Sequence, residues 1–77
     1  MKLHIKYFGL LTEVTKCTEE IIDFSGNTIQ ELLQVLITKY PELENKDFQI
    51  AQNNELVSKE TLISNPEIAL LPPFSGG

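Results

Sequence analysis

The sequence predicts an α+β fold in which a sheet is covered on one face by one main helix. Three stretches carry this expectation. Residues 2–8 alternate in polarity, residues 28–40 form a capped apolar stripe of helical period, and residues 48–58 form two short strands around Asn53-Asn54. A chain of 77 residues has room for a single domain, which buries about 60–65% of its unfolded surface. Its 42% hydrophobic and 22% charged residues are the composition of an ordinary globule, not of a disordered or collagen-like chain.

Taken in order, Leu3, Ile5 and Tyr7 fall on one side of the first strand and His4, Lys6 and Phe8 on the other. Gly9 breaks the strand, and the following LLTEVTK is expected to make a short helix or turn with Leu10, Leu11 and Val14 inward. Residues 19–24, EEIIDF, read as a second strand, antiparallel to the first, with Ile22 and Phe24 inward and a loop at Ser25-Gly26-Asn27. Thr28-Ile29-Gln30-Glu31 is a capping-box sequence, in which the Thr28 hydroxyl accepts from the amide three residues on and Glu31 reaches back. Ile29, Leu32, Leu33, Leu36, Ile37 and Tyr40 then follow on one face, and Pro41 ends the run. Residues 48–52 and 55–58 flank Asn53-Asn54, two residues that tolerate positive φ and suit a type I′ hairpin with Phe48, Ile50 and Val57 toward the helix. After the turn signal Asn65-Pro66, residues 67–71 make the last strand, with Ile68 and Leu70 inward.

Several function classes are excluded or left without support. A net charge of −5, with six scattered lysines and no arginine, offers no basic stripe for nucleic acid. No apolar run approaches membrane-spanning length, and His4 and Lys6 interrupt the only stretch resembling a signal peptide, so a cytoplasmic protein with no membrane partner is expected. Cys17 is the single cysteine, which rules out an internal disulfide and a metal site built on paired cysteines. With no phosphate loop, nucleophile elbow or base for Cys17, the chain has no catalytic site of its own. His4 reads as a solvated strand residue, Cys17 as an incidental thiol, and Glu19-Glu20 and Glu42-Leu43-Glu44 as solvated acidic faces.

What remains is the end of the chain, Pro72-Pro73-Phe74-Ser75-Gly76-Gly77. Two glycines make the slimmest possible peptide terminus, able to enter a narrow slot. Two prolines upstream fix φ and extend the backbone, so residues 72–77 are expected to be an arm on a domain of residues 1–71, mobile as a whole and stiff along its length. Six residues reach at most about 20 Å. A frayed polar terminus is the other reading, but it has no need of prolines or of Phe74. Strict alternation also puts Phe8, Leu56, Ala69 and Leu71 on the face away from the helix. With Phe74 they form an apolar patch of the kind that marks a protein contact, against the plainer reading of scattered surface residues. The Gly77 carboxylate is a poor electrophile until activated; adenylation followed by a sulfur nucleophile yields a thiocarboxylate that carries sulfur to an acceptor.

The whole chain resembles the ubiquitin-like sulfur carriers of the β-grasp fold, and among them the small subunits of molybdopterin synthase. The segments that carry the likeness are KLHIKYFGLLTEVT, TIQELLQVLITKYPEL, IAQNNELV and above all EIALLPPFSGG. The Pro-Pro pair sets this group apart from the related thiamine-pathway carriers, whereas Gly-Gly alone is shared with ubiquitin. One departure is Asn65-Pro66-Glu67, where the family commonly has an Asp-Gly-Asp-like turn. The resemblance implies a mixed sheet and no permanently bound cofactor. It also implies a ubiquitin-activating-type adenylating enzyme that uses ATP on Gly77 and a sulfurtransferase that makes the thiocarboxylate. A large catalytic subunit would receive the tail, in an assembly of two small and two large subunits, for sulfur donation to a pterin precursor of the molybdenum cofactor. Gly77 and Gly76 would be the reactive end. Phe8, Leu56, Ala69, Leu71, Pro72, Pro73, Phe74 and Ser75 would meet the partner. Alternatives are a ubiquitin-like modifier conjugated through Gly77, a carrier for thiamine or tRNA thiolation, and a binding module that uses its tail as an anchor.

Overall fold

The computed structural model describes residues 1–73. Strands β1 (Lys2–Tyr7), β2 (Glu19–Asp23), β3 (Gln49–Gln52), β4 (Glu55–Val57) and β5 (Glu67–Leu71) form one five-stranded sheet in the order β2-β1-β5-β3-β4. The central pair β1 and β5 is parallel and every other pairing antiparallel, which makes the sheet mixed. A parallel pair needs a crossover rather than a tight turn, and the crossover contains the main helix α2 (Ile29–Lys39).

One apolar core lies between α2 and one face of the sheet. Leu3, Ile5 and Tyr7 of β1, Ile68 and Leu70 of β5, and Ile29, Leu32 and Leu36 of α2 are all buried in it. Burying each aliphatic side chain contributes roughly 1.5–3 kcal/mol. The inward residues of β1 and β5 expected from alternation are therefore the observed ones, and so are Ile22, Phe24 and Ile50. Ile37, Tyr40, Phe48 and Val57 pack at the core's edge. The capping box forms as expected: the Thr28 hydroxyl accepts from the Glu31 amide at 3.3 Å, and a Glu31 carboxylate oxygen accepts from the Thr28 amide at 3.0 Å. Asn53 and Asn54 sit at φ 55° and 65°, the positive values that a type I′ turn requires.

The structure corrects the sequence reading in three places. Leu10 is 72% exposed instead of inward. Gly9, at φ 62°, swings the chain before the short helix α1 (Leu11–Thr15), so Leu11 and Thr15 become the buried face and Leu10 stays outside. Pro41 ends α2 but opens a 3-10 turn, Pro41–Asn45, which buries Leu43 between the exposed Glu42 and Glu44. The third correction concerns Glu20, which is not a solvated acid.

Glu20 stands opposite Ile5, on the core side of β2, and its side chain is only 15% exposed. Its carboxylate accepts from the Tyr7 hydroxyl at 2.5 Å, the Tyr40 hydroxyl at 2.7 Å and the Lys39 ammonium at 2.6 Å. The Tyr7 and Tyr40 rings meet edge to face, with centroids 6.1 Å apart. Burial alone would raise the carboxyl's pKa, but the bonds from Lys39, Tyr7 and Tyr40 together outweigh it and hold it below the usual glutamate value. Burial, and then the bonded Glu20, push both phenols up.

Because the folded-state pKa of Glu20 is depressed, its contribution to stability is complete above the ordinary glutamate value and is lost as pH falls through the lower folded one. Urea unfolding followed from about pH 5 to about pH 3 should therefore lose stability more steeply in the parent than in Glu20→Gln. Parallel pH profiles would show that Glu20 is not responsible.

Candidate functional site

The face of the sheet away from α2 is where the strand registers gather the expected contact residues. Leu56 pairs with Ala51, Ala51 with Ala69, and Ala69 with Lys6, so these four form one cross-strand row spanning β4, β3, β5 and β1. Leu71 pairs with Gln49 in the next row. Phe8 continues β1 beside it, its amide donating to the Leu70 carbonyl at 3.1 Å. Phe8, Leu56, Ala69 and Leu71 thus share one face, with Phe8 44% and Leu56 61% exposed. Both stay exposed because α2 packs against the opposite face of the sheet.

Two further residues belong to this surface that the sequence reading did not single out. Ala51 lies between Leu56 and Ala69, and a two-residue hairpin loop already implies that pairing. Ile21, exposed, stands opposite His4 at the β2 edge. His4 is half-buried and its Nε2 is hydrogen-bonded to Glu19 Oε1, so it is less solvated than its alternation suggests.

The base of the C-terminal segment is built next to this face. β5 runs directly into Pro72 and Pro73, both exposed. A Cβ on Gly9 would lie 2.7 Å from Pro72 Cγ, so the absence of a side chain at Gly9 admits the approach of the proline ring. Leu10, Leu11, Lys46 and Asp47 line a hollow with the two prolines, which explains what the outward Leu10 adjoins. Phe74, Ser75, Gly76 and Gly77 lie outside the described residues. Before Glu67, the Asn65 side chain accepts from the Glu67 amide at 2.9 Å, closing the turn that feeds β5. Among the described residues no group of three or more His, Cys, Asp or Glu side chains is placed to hold a metal ion. None of their helices is long and apolar enough to cross a membrane.

Comparison with known proteins agrees with this architecture. The model of the ThiS family matches residues 5–77. This chain belongs to the ThiS family. Among curated ThiS-like relatives it is 32% identical, over the whole of both chains, to the molybdopterin synthase sulfur carrier subunit of Chlamydomonas reinhardtii. Its ubiquitin-like β-grasp fold superposes on SAMP1 of Haloferax volcanii with a TM-score of 0.82 at 26% identity, covering all of both chains. It is also similar, with a TM-score of 0.69 and 28% identity over all of both chains, to a structure from Helicobacter pylori, a complex of subunits 1 and 2 of molybdopterin-converting factor.

The two faces of this ThiS-family sheet make opposite demands at neighbouring positions of β4. Leu56→Glu, on the open face, should change stability by no more than about 0.5 kcal/mol, a Tm shift of about 2–4 °C. Val57→Glu, which places a charge against the core, should cost several times more. Equal losses in thermal denaturation would mean that the two faces are assigned the wrong way round.

Proposed function

We propose that this chain is the sulfur carrier subunit of a molybdopterin synthase. The observation that carries the reading is the end-to-end match to a molybdopterin synthase sulfur carrier subunit. The division of labour on the surface supports it. The open face, with Phe8, Leu56, Ala69 and Leu71, supplies affinity for the large subunit. Residues 72–77, the arm leaving β5 at Pro72-Pro73, deliver the Gly77 carboxylate and pass Phe74 and Ser75 along the partner.

The chemistry belongs to Gly77. A ubiquitin-activating-type enzyme uses ATP to convert the carboxylate into an acyl adenylate, releasing pyrophosphate. A cysteine persulfide of a sulfurtransferase then attacks the acyl carbon and displaces AMP, giving an acyl disulfide, and a second thiol reduces this to the thiocarboxylate while the sulfurtransferase cysteine leaves in a disulfide. Gly76 and Gly77 present no Cβ to the slot in which this occurs. Tethered at the end of the arm, the sulfur reaches a pterin precursor at a high effective concentration instead of diffusing as free sulfide. The carrier binds no cofactor of its own, and ATP is consumed on its partner.

A second reading, a protein modifier joined to lysines through Gly77, is favoured by the likeness to SAMP1, whose relative from Methanosarcina acetivorans is a small archaeal modifier protein. A carrier for thiamine or tRNA thiolation uses the same terminus with another acceptor. Intact-mass spectrometry of the chain isolated from its own cells separates carrier from modifier. Replacement of a terminal oxygen by sulfur supports the carrier, and Gly-Gly remnants branched from lysines of other proteins support the modifier.

Adding one alanine after Gly77 moves the carboxylate by about 3.5 Å. A displacement of about 1 Å already costs 10²-fold in rate. The extended chain should therefore bind the large subunit with little change while adenylation and sulfur transfer fall by 10²-fold or more. Normal turnover by the extended chain would remove Gly77 as the reactive group.

A further inference from the structure

The open face is not flat. Between β1, β5 and the β3–β4 turn lies a hollow of about 150 Å³ lined by Lys6, Phe8, Ala51, Asn53, Asn54 and Ala69. Its cause is local. Ala51 and Ala69 are directly paired on the open face, so two small side chains stand side by side where their row neighbours Leu56 and Lys6 are long. A knob from a partner thus has a floor of two methyl groups, one wall of Phe8 and a rim of two asparagine side chains.

The lining limits what enters. A volume of about 150 Å³ accepts a benzene-sized ring. Lys6 forms no ion pair among the described residues, and Glu67, also at the rim, carries the opposite charge. The rim therefore selects neither an acid nor a base. An aromatic ring satisfies every part of the lining at once: its faces cover the alanine methyls, its edge meets the half-exposed Phe8, and its π-system attracts the Lys6 ammonium. Aromatic anchors seated in such depressions are also the residues that dominate interface energies.

We propose that the hollow over Ala51 and Ala69 receives one aromatic side chain of the large subunit when the open face docks. This rests on the reading of the open face as the large-subunit interface and adds the residue class that keys it. The ring fills a hole that the carrier leaves between its own side chains, so it fixes the rotation of the carrier on its partner and hence the direction in which the arm points.

The test uses the full chain with alanine methyl groups carrying ¹³C, titrated with the large subunit. An aromatic occupant places its ring current over two methyls, so both the Ala51 and Ala69 signals should move upfield on binding, and should still do so in Phe8→Leu, which lacks the carrier's own ring. Ala69→Leu, which fills the hollow, should weaken binding by 10-fold or more with an unchanged Tm. Lys6→Met should weaken it about 2–5-fold through the lost cation–π contact. If Leu56→Glu abolishes binding while the two methyls do not shift upfield and Ala69→Leu binds normally, the interface stands and this proposal fails. If Leu56→Glu also binds normally, the interface reading has failed first. An upfield shift that appears in the chain alone as its concentration rises would make a second copy the occupant and overturn the proposal.

Discussion

The parallel pairing of β1 with β5 is the contact on which the rest depends. It brings the first and last strands of the described chain side by side at the centre of the sheet, His4 against Glu67 and Tyr7 against Leu70. Every side chain's face follows from that register, because a slip of one residue exchanges core and open faces along the whole strand. It also brings the ends of β1 and β5 together, Phe8 beside Leu71 and Gly9 under Pro72. The apolar open face and the start of the C-terminal segment are adjacent for this reason. In the sequence Phe8 and Gly9 are separated from Leu71 and Pro72 by nearly the whole chain.

A chain of this size has one helix long enough to cover a sheet, and that helix covers one face. Small domains bury a modest fraction of their surface and are only marginally stable. The core face therefore takes the large aliphatic residues, and the open face is left with a mixture of small apolar, large apolar and charged groups. Isolated leucines on a surface need no explanation, but an open-face row in which Leu56, Ala51 and Ala69 succeed one another is a different matter. Within it Leu56 is 61% exposed, whereas Ala51 is 7% exposed and shielded by its neighbours.

Glu20 shows how the same domain ties its helix to its edge strand without more apolar area. One carboxylate accepts bonds from residues of β1 and of the end of α2 and its cap, so β2 is held against both. The arrangement stabilises the fold more when the carboxylate is charged than when it is protonated, because burial opposes ionisation and the three donors together outweigh it. Its bonds lie on the core side of the sheet and leave the open face untouched.

Much of this was legible in the sequence because the deciding interactions are local. Alternation in β1 and β5, the capping box at Thr28 and Glu31, the apolar stripe of α2 and the Asn53-Asn54 turn each lie within a few residues of chain, and local geometry there determines the outcome. The sequence likewise determined the ending Pro72-Pro73-Phe74-Ser75-Gly76-Gly77, whose chemistry is that of its residue types. Only the tertiary structure decided where Leu10 points, since the positive φ at Gly9 redirects the chain into α1. Only it turned Glu20 from an apparent surface acid into a buried acceptor, since its donors lie 13 and 20 residues away for Tyr7 and Tyr40. And only the register between strands distant in sequence set Ala51 beside Ala69, because a hollow is a property of neighbouring strands and no single stretch of chain contains it.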